Sequence, residues 1–566
     1  LLYDSEYYKG YFIYKNLSKK EVDIYEFIKD RVECSKDDII GLEQTTPLEL
    51  AYVISFLYSD RNASISHILI EKFPFIVWIL KKICFNFKSI NLEEFALNEF
   101  GFNTFKEFEQ RDSPLLKLSQ REIINSALKD SSLLAILPTG GGKTFTFQLP
   151  ALIKAKSYNA LTVVISPLQA LMKNHVDSFK EKNQNFSVQA ISGYLSPIER
   201  ASILNEVQNG TTDILYLAPE ALRSNSLFNA LKCRIIDRFV IDETHCFSSW
   251  GHDFRHDYHY IAVFIKELID NSKMKDTIPV SCFTATAKPE VLGDIKEYFK
   301  EHLNIKFDEF LASAKRENLT YEAIEVKDEN EKYNALISEI SSLGKIPTII
   351  YLPQNAKGCK ELCEKLNDDP RIEHLGLTIE PFYAKIDDEI ELGIRTGRNK
   401  SEILNDFINN TIDIVIATTA FGMGIDKPDI KAVIHYDVSD SLEAYLQESG
   451  RGARSKDINA KCIIIYSKND FDRTFSKLNS TKIDANEIQA IVKTLKKEKN
   501  STVYISPKTL ATNSGIDTED SKLDYESIIK TALLELERCE ILKRGRDRYT
   551  IFATSLLEKE KRNMEY

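Results

Sequence analysis

The chain alternates short apolar runs with helical stretches in two successive series, and this alternation limits the folds open to it. Each apolar run is four or five residues long and rich in β-branched side chains. Runs of this kind, separated by helices, pack as a parallel sheet covered by helices. The sequence therefore predicts an α/β fold with two tandem parallel-sheet domains, with strands at 161–165, 213–217, 239–242 and 280–284 in the first and at 348–352, 413–417, 432–436 and 462–466 in the second.

The segments that flank the two series have a different pattern. Residues 1–112 look mostly helical and carry no chemical motif, which indicates a helical N-terminal domain. After about residue 480, three helical stretches precede a basic turn at 543–548, a layout typical of a winged helix. A small structural or protein-contact domain is the alternative there. The predicted domains are 1–112, 113–312, 313–480 and 481–556, followed by a tail at 557–566.

Composition limits the setting in which the protein works. No apolar run approaches the roughly 18 residues of a membrane span, so we expect no membrane association. The nine cysteines are scattered and odd in number, which favours a reducing compartment, either a bacterial-type cytoplasm or a nucleus. The net charge of -11 weakens non-specific binding to nucleic acid, but a local basic track is compatible with it.

A glycine-rich loop, residues 138–144, follows the apolar run 133–137 and precedes a helix-compatible stretch. Its glycines let backbone N–H groups wrap phosphate oxygens at a helix N-terminus. Lys143 would reach the β- and γ-phosphates, and Thr144 would bind Mg²⁺. Leu137 stands where the strict pattern has its first glycine. The predicted nucleotide-binding residues of this glycine loop are Thr139, Gly140, Gly141, Gly142, Lys143 and Thr144.

An acidic pair, Asp242 and Glu243, follows the predicted strand 239–242. Asp242 would hold Mg²⁺, and Glu243 would polarise the water that attacks the γ-phosphate. The residues directly downstream combine aromatic and basic side chains, which can stack on bases beside the hydrolysis site. The candidates for this contact with nucleic-acid bases are Trp250, Phe254 and Arg255. The histidines of the same segment could bind zinc, but we expect no zinc, because the acidic pair and the aromatic residues already account for the segment.

The second series carries two further motifs. Gly424 and Asp426 lie in a glycine-rich stretch after a predicted strand, which allows close approach to phosphate. Arg451 and Arg454 are three residues apart and would share one helical face if that segment is helical. An arginine supplied by a neighbouring domain stabilises the transferring phosphoryl group and is worth roughly 10³–10⁵ in rate. The two domains are therefore predicted to hold ATP between them.

Together these motifs resemble the RecQ family of superfamily 2 DNA helicases over residues 113–478, most specifically at 242–255. The resemblance implies two RecA-like motor domains, ATP and Mg²⁺ as cofactors, and unwinding with 3′→5′ polarity. It also implies that Gln120 reads adenine and that the aromatic segment couples single-stranded DNA to hydrolysis. By the same resemblance, His245 and Gln447 join the catalytic residues, and Thr284 and Thr286 join the DNA-binding residues.

The chain departs from the family pattern at several points. Lys117, which we also assign to nucleotide binding, stands where the family usually has an arginine before the adenine-reading glutamine. Lysine lacks the planar fork of arginine. Gly452 and Ala453 reverse the usual alanine–glycine order. The zinc-binding cysteine cluster that the family carries after its second motor domain is absent from the sequence, which puts strand separation and substrate preference in question.

The sequence predicts an ATP hydrolase that moves on single-stranded DNA and unwinds partly duplex DNA, with protein partners at its N-terminal or C-terminal domain. Two alternatives stay open. One is an RNA helicase, because the general motor motifs are shared. The other is an ATP-switched nucleic-acid-binding subunit of a repair or defence complex that does not unwind.

Overall fold

The computed structural model describes residues 90–545 except 112, 114, 168, 184, 194, 248–255, 272–276, 286–287, 314–315, 353–355, 419–420, 422–426, 440, 456, 473–483, 498–501, 519–524 and 540. Before residue 90 it describes two strand pairs only, Leu2–Tyr3 with Tyr14–Lys15 and Tyr11–Phe12 with Val22–Asp23. The predicted helical N-terminal domain and the tail at 557–566 therefore lie largely or wholly outside the described residues.

Seven parallel strands form the first sheet, in the order β9-β3-β8-β7-β4-β6-β5. A short antiparallel hairpin, β1–β2, precedes it. The elements are α1 Leu92–Phe100, β1 Glu107–Glu109, β2 Lys117–Ser119, α2 Gln120–Leu128, β3 Leu133–Ile136, α3 Lys143–Tyr158, β4 Leu161–Ile165, α4 Gln169–Lys182, β5 Val188–Ile191, α5 Pro197–Asn209, β6 Ile214–Leu217, α6 Asn225–Lys232, β7 Ile236–Ile241, α7 Ile261–Asn271, β8 Val280–Thr284, α8 Pro289–Leu303 and β9 Asp308–Leu311.

A second sheet has six parallel strands in the order β10-β15-β14-β11-β13-β12. The prediction of two parallel-sheet, RecA-like domains is confirmed. The elements are β10 Leu319–Glu325, α9 Glu329–Leu343, β11 Thr348–Tyr351, α10 Ala356–Asn367, α11 Pro370–Glu373, β12 Ile379–Phe382, α12 Ile386–Glu391, α13 Lys400–Ile408, β13 Ile414–Ala417, β14 Ala432–His435, α14 Leu442–Ser449 and β15 Ala460–Tyr466.

Burial explains why the central strands of both sheets are mostly apolar; β7 is the exception, because it carries the buried charged residues Asp237 and Arg238. Every residue of β3, β4, β6, β7 and β8 is buried, as is every residue of β11, β13 and β14. A strand covered by helices on both faces has no polar face. Helix α1 packs on the first domain, because Leu92 and Ala96 form one apolar cluster with Phe145 and Leu149 of α3.

Both sheets belong to one compact unit, and the C-terminal helices belong to a second unit formed by residues 223–228 and 475–566. The second unit contains α15 Ala485–Lys497, α16 Pro507–Asn513 and α17 Tyr525–Arg538, which enclose a small apolar core. These are the three predicted helices. No strand occurs within the described residues 541–545, and residues 546–566 lie outside the description, so the winged-helix assignment stays a prediction.

Strand order places the candidate site. The glycine loop follows β3 and the acidic pair follows β7, and these two strands flank β8 in the first sheet. In a parallel sheet all carboxyl ends lie at one edge, where α/β proteins bind their ligands. The end of β8, at Thr284, therefore lies between the two predicted halves of the nucleotide site.

Candidate nucleotide site

The glycine loop takes a conformation that requires its glycines. Gly140 and Gly142 have φ angles of 75° and 77°, in the left-handed region that side chains disfavour. A Cβ on Gly141 would lie 2.7 Å from the carbonyl oxygen of Pro138, and one on Gly142 would lie 2.6 Å from Nε2 of Gln120. Helix α3 begins at Lys143, and its cap residue Gly142 supplies no side-chain cap. The first amides of the helix are therefore suited to bind an anion such as phosphate.

Gln120 supports the glycine loop through hydrogen bonds to its backbone. Its Nε2 donates to the carbonyl oxygens of Gly141 and Gly142, at 2.8 and 3.4 Å, and its Oε1 accepts from the backbone N–H of Lys106 at 2.8 Å. The side chain is buried. The structure thus brings Gln120 to the glycine loop, where its amide binds two of the loop carbonyl oxygens. Its reading of adenine stays a prediction.

Lys106 lies at the glycine loop, whereas Lys117 lies on the surface. The ammonium of Lys106 donates to the carbonyl oxygen of Gly140 at 2.8 Å. Lys117, which the sequence assigned to nucleotide binding, pairs with Glu107 at 3.2 Å, and its side chain is 73% exposed. The β1–β2 hairpin separates the two lysines, and its paired strands bring Lys106 back beside Gln120, whose N–H donates to the Lys106 carbonyl at 3.0 Å.

The acidic pair forms a buried ion pair with the glycine loop. Nζ of Lys143 lies 3.0 Å from Oε1 of Glu243. Glu243 has a φ angle of +48°, and its N–H donates to Oδ1 of Asp242 at 3.0 Å. The hydroxyl of Tyr258 donates to the Asp242 carbonyl at 2.9 Å. This tight turn after β7 aims two neighbouring carboxylates at the glycine loop.

Burial and neighbouring charges shift the pKa values of the two carboxyl groups in opposite directions. Burial and the charge of Glu243 raise the pKa of Asp242 above its ordinary value. Burial also opposes ionisation of Glu243, but the charges of Lys143 and His245 outweigh it and hold the pKa of Glu243 well below its ordinary value. Glu243 is therefore held in its ionised, carboxylate form. A nearby divalent cation would favour the ionised form of Asp242 in the same way.

His245 connects the acidic pair to the end of β8. Its Nδ1 lies 3.3 Å from Oε2 of Glu243 and 2.9 Å from Oγ1 of Thr284. Burial opposes protonation of His245, but its contacts with Cys246 and Glu243 prevail and raise its pKa well above the ordinary value. Lys143, Glu243, His245 and Thr284 thus form one continuous polar chain, which sequence reasoning had divided between catalytic and DNA-binding residues.

The second domain reaches the glycine loop through the turn that follows α14. We call residues 450–455 the arginine turn, because it carries Arg451 and Arg454. The two arginines do not share a helical face, because α14 ends at Ser449 and Ala453 between them has a φ angle of +47°. A Cβ on Gly450 would lie 3.0 Å from Cβ of Thr139, and a Cβ on Gly140 would lie 3.9 Å from Cγ of Arg454. Arg451 is 5% exposed. Gln447 lies in α14, four residues before Arg451, and is partly buried.

Some predicted residues cannot be placed. The aromatic segment and part of the second glycine-rich stretch lie outside the described residues. The predicted residues in these segments are Trp250, Phe254, Arg255, Thr286, Gly424 and Asp426.

Thr144 lies in the first turn of α3. Its hydroxyl and the buried Asp242 carboxylate are hard oxygen donors, the type that Mg²⁺ prefers. Within the described part of the chain, no group of three or more histidine, cysteine, aspartate or glutamate residues could hold a metal ion.

Two RecA-like domains with a glycine loop, an acidic pair and paired arginines define the motor core of a helicase-type nucleotide hydrolase. The family model described as DEAD/DEAH box helicase matches residues 117–295, and the helicase conserved C-terminal domain matches residues 331–456. The chain is 31% identical over 406 residues to the probable ATP-dependent DNA helicase RecS of Bacillus subtilis, covering 72% of this chain and 73% of that protein. The chain belongs to the RecQ family of ATP-dependent DNA helicases, whose members are ATP hydrolases.

The likeness to other relatives covers less of their length. The chain is 30% identical over 377 residues to the ATP-dependent DNA helicase RecQ of Haemophilus influenzae, which corresponds to 66% of this chain and 52% of that protein. A solved structure of Mss116p bound to single-stranded RNA and AMP-PNP matches with a TM-score of 0.51 and 16% identity, covering 85% of this chain and 96% of that one. At that identity the match shows a common fold. Of the helices that the structure describes, none is long and apolar enough to cross a bilayer.

Proposed function

We propose that this chain binds ATP between its two sheets and uses hydrolysis to move along single-stranded DNA and separate duplex strands, with 3′→5′ polarity as in the family it resembles. Single-stranded and partly duplex DNA are the proposed partners. The observation that supports this proposal best is the polar chain from Lys143 through Glu243 and His245 to Thr284. It joins the phosphate-binding loop to a residue predicted to contact DNA.

Each residue of the site has a role that its surroundings favour. Lys143 binds the β- and γ-phosphates, and Thr144 and Asp242 would hold Mg²⁺, which neutralises charge on the phosphate oxygens when bound. Glu243, kept ionised by its cationic neighbours, accepts a proton from the attacking water. Arg451 and Arg454 stabilise the charge that develops on the transferring phosphoryl group.

Coupling to DNA follows from the position of Thr284. Thr284 is itself fully buried, so a nucleic-acid strand held at the end of β8 would move Thr284 through the residues that follow the strand, and with it the hydrogen bond to His245. His245 also contacts Glu243, so the strand would change the orientation of the group that accepts the proton. Hydrolysis would then depend on whether DNA is bound.

A strand-displacement assay tests the proposal. A duplex with a 3′ single-stranded tail, a duplex with a 5′ tail and a blunt duplex are each mixed with the protein, ATP and Mg²⁺. We expect displacement from the 3′-tailed duplex and little from the other two. ATP hydrolysis stimulated by single-stranded DNA without any displacement would instead identify the switch that binds without unwinding, and stimulation by RNA alone would identify an RNA helicase.

A further inference from the structure

The arginine turn contains a backbone conformation that alanine rarely adopts. Ala453 has a φ angle of +47° and is completely buried. Its N–H donates to the carbonyl oxygen of Ile430 at 2.8 Å, which keeps the turn against the second sheet. A left-handed conformation brings the Cβ of an L-residue close to its own carbonyl oxygen and is costly for residues other than glycine. The turn between Arg451 and Arg454 is therefore strained and needs support.

Glycine cannot be exchanged freely with alanine inside this turn. A Cβ on Gly452 would lie 2.9 Å from the Cβ of Ala460, so the position beside Arg451 has no room for a side chain. Glycine at 452 avoids this clash, and alanine occupies the next position, 453, which has the left-handed conformation. The reversed glycine–alanine order seen in the sequence thus has a structural consequence at Ala453.

Arg316 and Asn318, directly before β10, bind the carbonyl oxygens of the arginine turn. Arg316 donates from Nη1 to the Gly450 carbonyl at 2.8 Å and from Nη2 to the Ala453 carbonyl. Nδ2 of Asn318 lies 2.8 Å from the Ala453 carbonyl oxygen and 3.1 Å from that of Ser455. The bonded carbonyls stand on both sides of Arg451 and Arg454. One guanidinium fork and one amide therefore hold the whole turn.

We propose that Arg316 and Asn318 are positioning residues, which hold the arginine turn in its strained form and so present Arg451 and Arg454 to the bound nucleotide. This inference rests on the proposed function, because it assigns the two arginines a role in ATP hydrolysis. Arg316 and Asn318 act through the backbone of the turn. Their loss should lower the rate of hydrolysis and leave the affinity for nucleotide nearly unchanged.

Steady-state kinetics and a binding titration measure the rate of hydrolysis and the affinity for nucleotide separately. We expect Arg316→Ala to lower kcat for DNA-stimulated ATP hydrolysis by about 10–100-fold, because a misplacement of about 1 Å can cost 10²-fold. The dissociation constant of a fluorescent ADP should stay within about twofold, since the glycine loop is untouched. Arg316→Lys should give an intermediate kcat, because an ammonium lacks the fork that reaches two carbonyls at once. A kcat unchanged in Arg316→Ala would overturn the proposal.

Rescue distinguishes positioning from general damage to the fold. Glycine adopts the left-handed conformation without strain, so the double variant Arg316→Ala/Ala453→Gly should recover at least about fivefold of the lost kcat in a double-mutant cycle with both single variants. A loss of kcat that glycine does not rescue, together with a lowered melting temperature, would show that Arg316 serves the fold only and would refute positioning.

Amide hydrogen exchange tests the same proposal independently of hydrolysis. In Arg316→Ala, exchange in a peptide spanning 446–456 should accelerate by about tenfold or more, because the carbonyl oxygens of Gly450 and Ala453 lose the guanidinium that holds the turn, and the Ala453 N–H then opens more often from the Ile430 carbonyl. Exchange in the glycine loop should stay unchanged. If the wild-type chain shows no DNA-stimulated hydrolysis, the proposed function fails, while this exchange still decides whether Arg316 holds the turn. Unchanged exchange in 446–456 would contradict the positioning role.

Discussion

The ammonium of Lys143 lies 3.0 Å from a carboxylate oxygen of Glu243, although the two residues are 100 positions apart in the sequence. The bond joins the glycine loop to the acidic pair. A γ-phosphate that binds Lys143 must compete with Glu243 for the same cation. Binding of ATP would therefore release the Glu243 carboxylate toward the attacking water at the moment when the substrate arrives.

Replacing Lys143 should weaken nucleotide binding. Lys143→Ala removes the cation that meets the phosphates, and we expect the dissociation constant of a fluorescent ATP analogue to rise by about 10-fold or more, in line with the loss of a charge-assisted contact. Lys156→Ala is a matched control, because Lys156 lies exposed in the same helix α3. Equal affinities in the two variants would remove Lys143 from the site.

Replacing Glu243 should have the opposite effect on binding. Glu243→Gln keeps the shape of the side chain but removes the charge that pairs with Lys143, so the phosphates no longer compete with a carboxylate. We expect the affinity for the ATP analogue to rise by about two- to tenfold, which calorimetry or fluorescence titration would measure. Weaker binding by Glu243→Gln than by wild type would contradict the competition between Glu243 and phosphate.

The contact between His245 and Thr284 should carry the response to DNA. Thr284→Val keeps the volume and removes the hydroxyl that lies 2.9 Å from His245. We expect hydrolysis without DNA to stay within about threefold and the stimulation by single-stranded DNA to fall by about tenfold, the effect of one lost hydrogen bond to a charged group. Thr162→Val, a buried threonine in β4 of the same sheet, is the control. An equal loss of basal and stimulated rates in Thr284→Val would speak against coupling through this contact.

Loss of the Gln120 hydrogen bonds to the glycine loop should raise KM for ATP. Gln120→Glu replaces the amide that donates to Gly141 and Gly142 with a carboxylate, which repels their carbonyl oxygens. We expect KM to rise by about 10-fold or more, because an unmade buried hydrogen bond costs about 1–3 kcal/mol. Lys106→Ala should raise KM less, since it removes one exposed bond to Gly140. A KM unchanged in Gln120→Glu would refute the supporting role.

The central strands could be predicted from the sequence, whereas the edge strands could not. The run predicted at 280–284 is β8, Val280–Thr284, all of it buried. Edge strands β9 and β10 expose several residues and include Glu309 and Glu322, so they lack a continuous apolar run. A strand that is covered on one side only gives a weaker periodic signal.

The residues of the site could be predicted where a motif is contiguous. Lys143 and Glu243 were identified from the glycine loop and the acidic pair, and the structure brings them into contact. Lys106 and Arg316 were missed because their roles depend on chain reversal, in the β1–β2 hairpin and at the start of β10, and not on neighbours in sequence. The pairing of two short strands around 107–119 is the local signal that could have indicated Lys106.

The steady-state rate of ATP hydrolysis, measured with no nucleic acid, single-stranded DNA, duplex DNA and RNA, tests the central claim most directly. Glu243→Gln is the control for hydrolysis at this site. We expect single-stranded DNA to stimulate the wild-type rate by about tenfold or more and Glu243→Gln to lose about 10²–10⁴-fold of that rate. A rate that is indifferent to DNA, or that rises with RNA alone, would contradict the assignment of this chain as a DNA-driven motor.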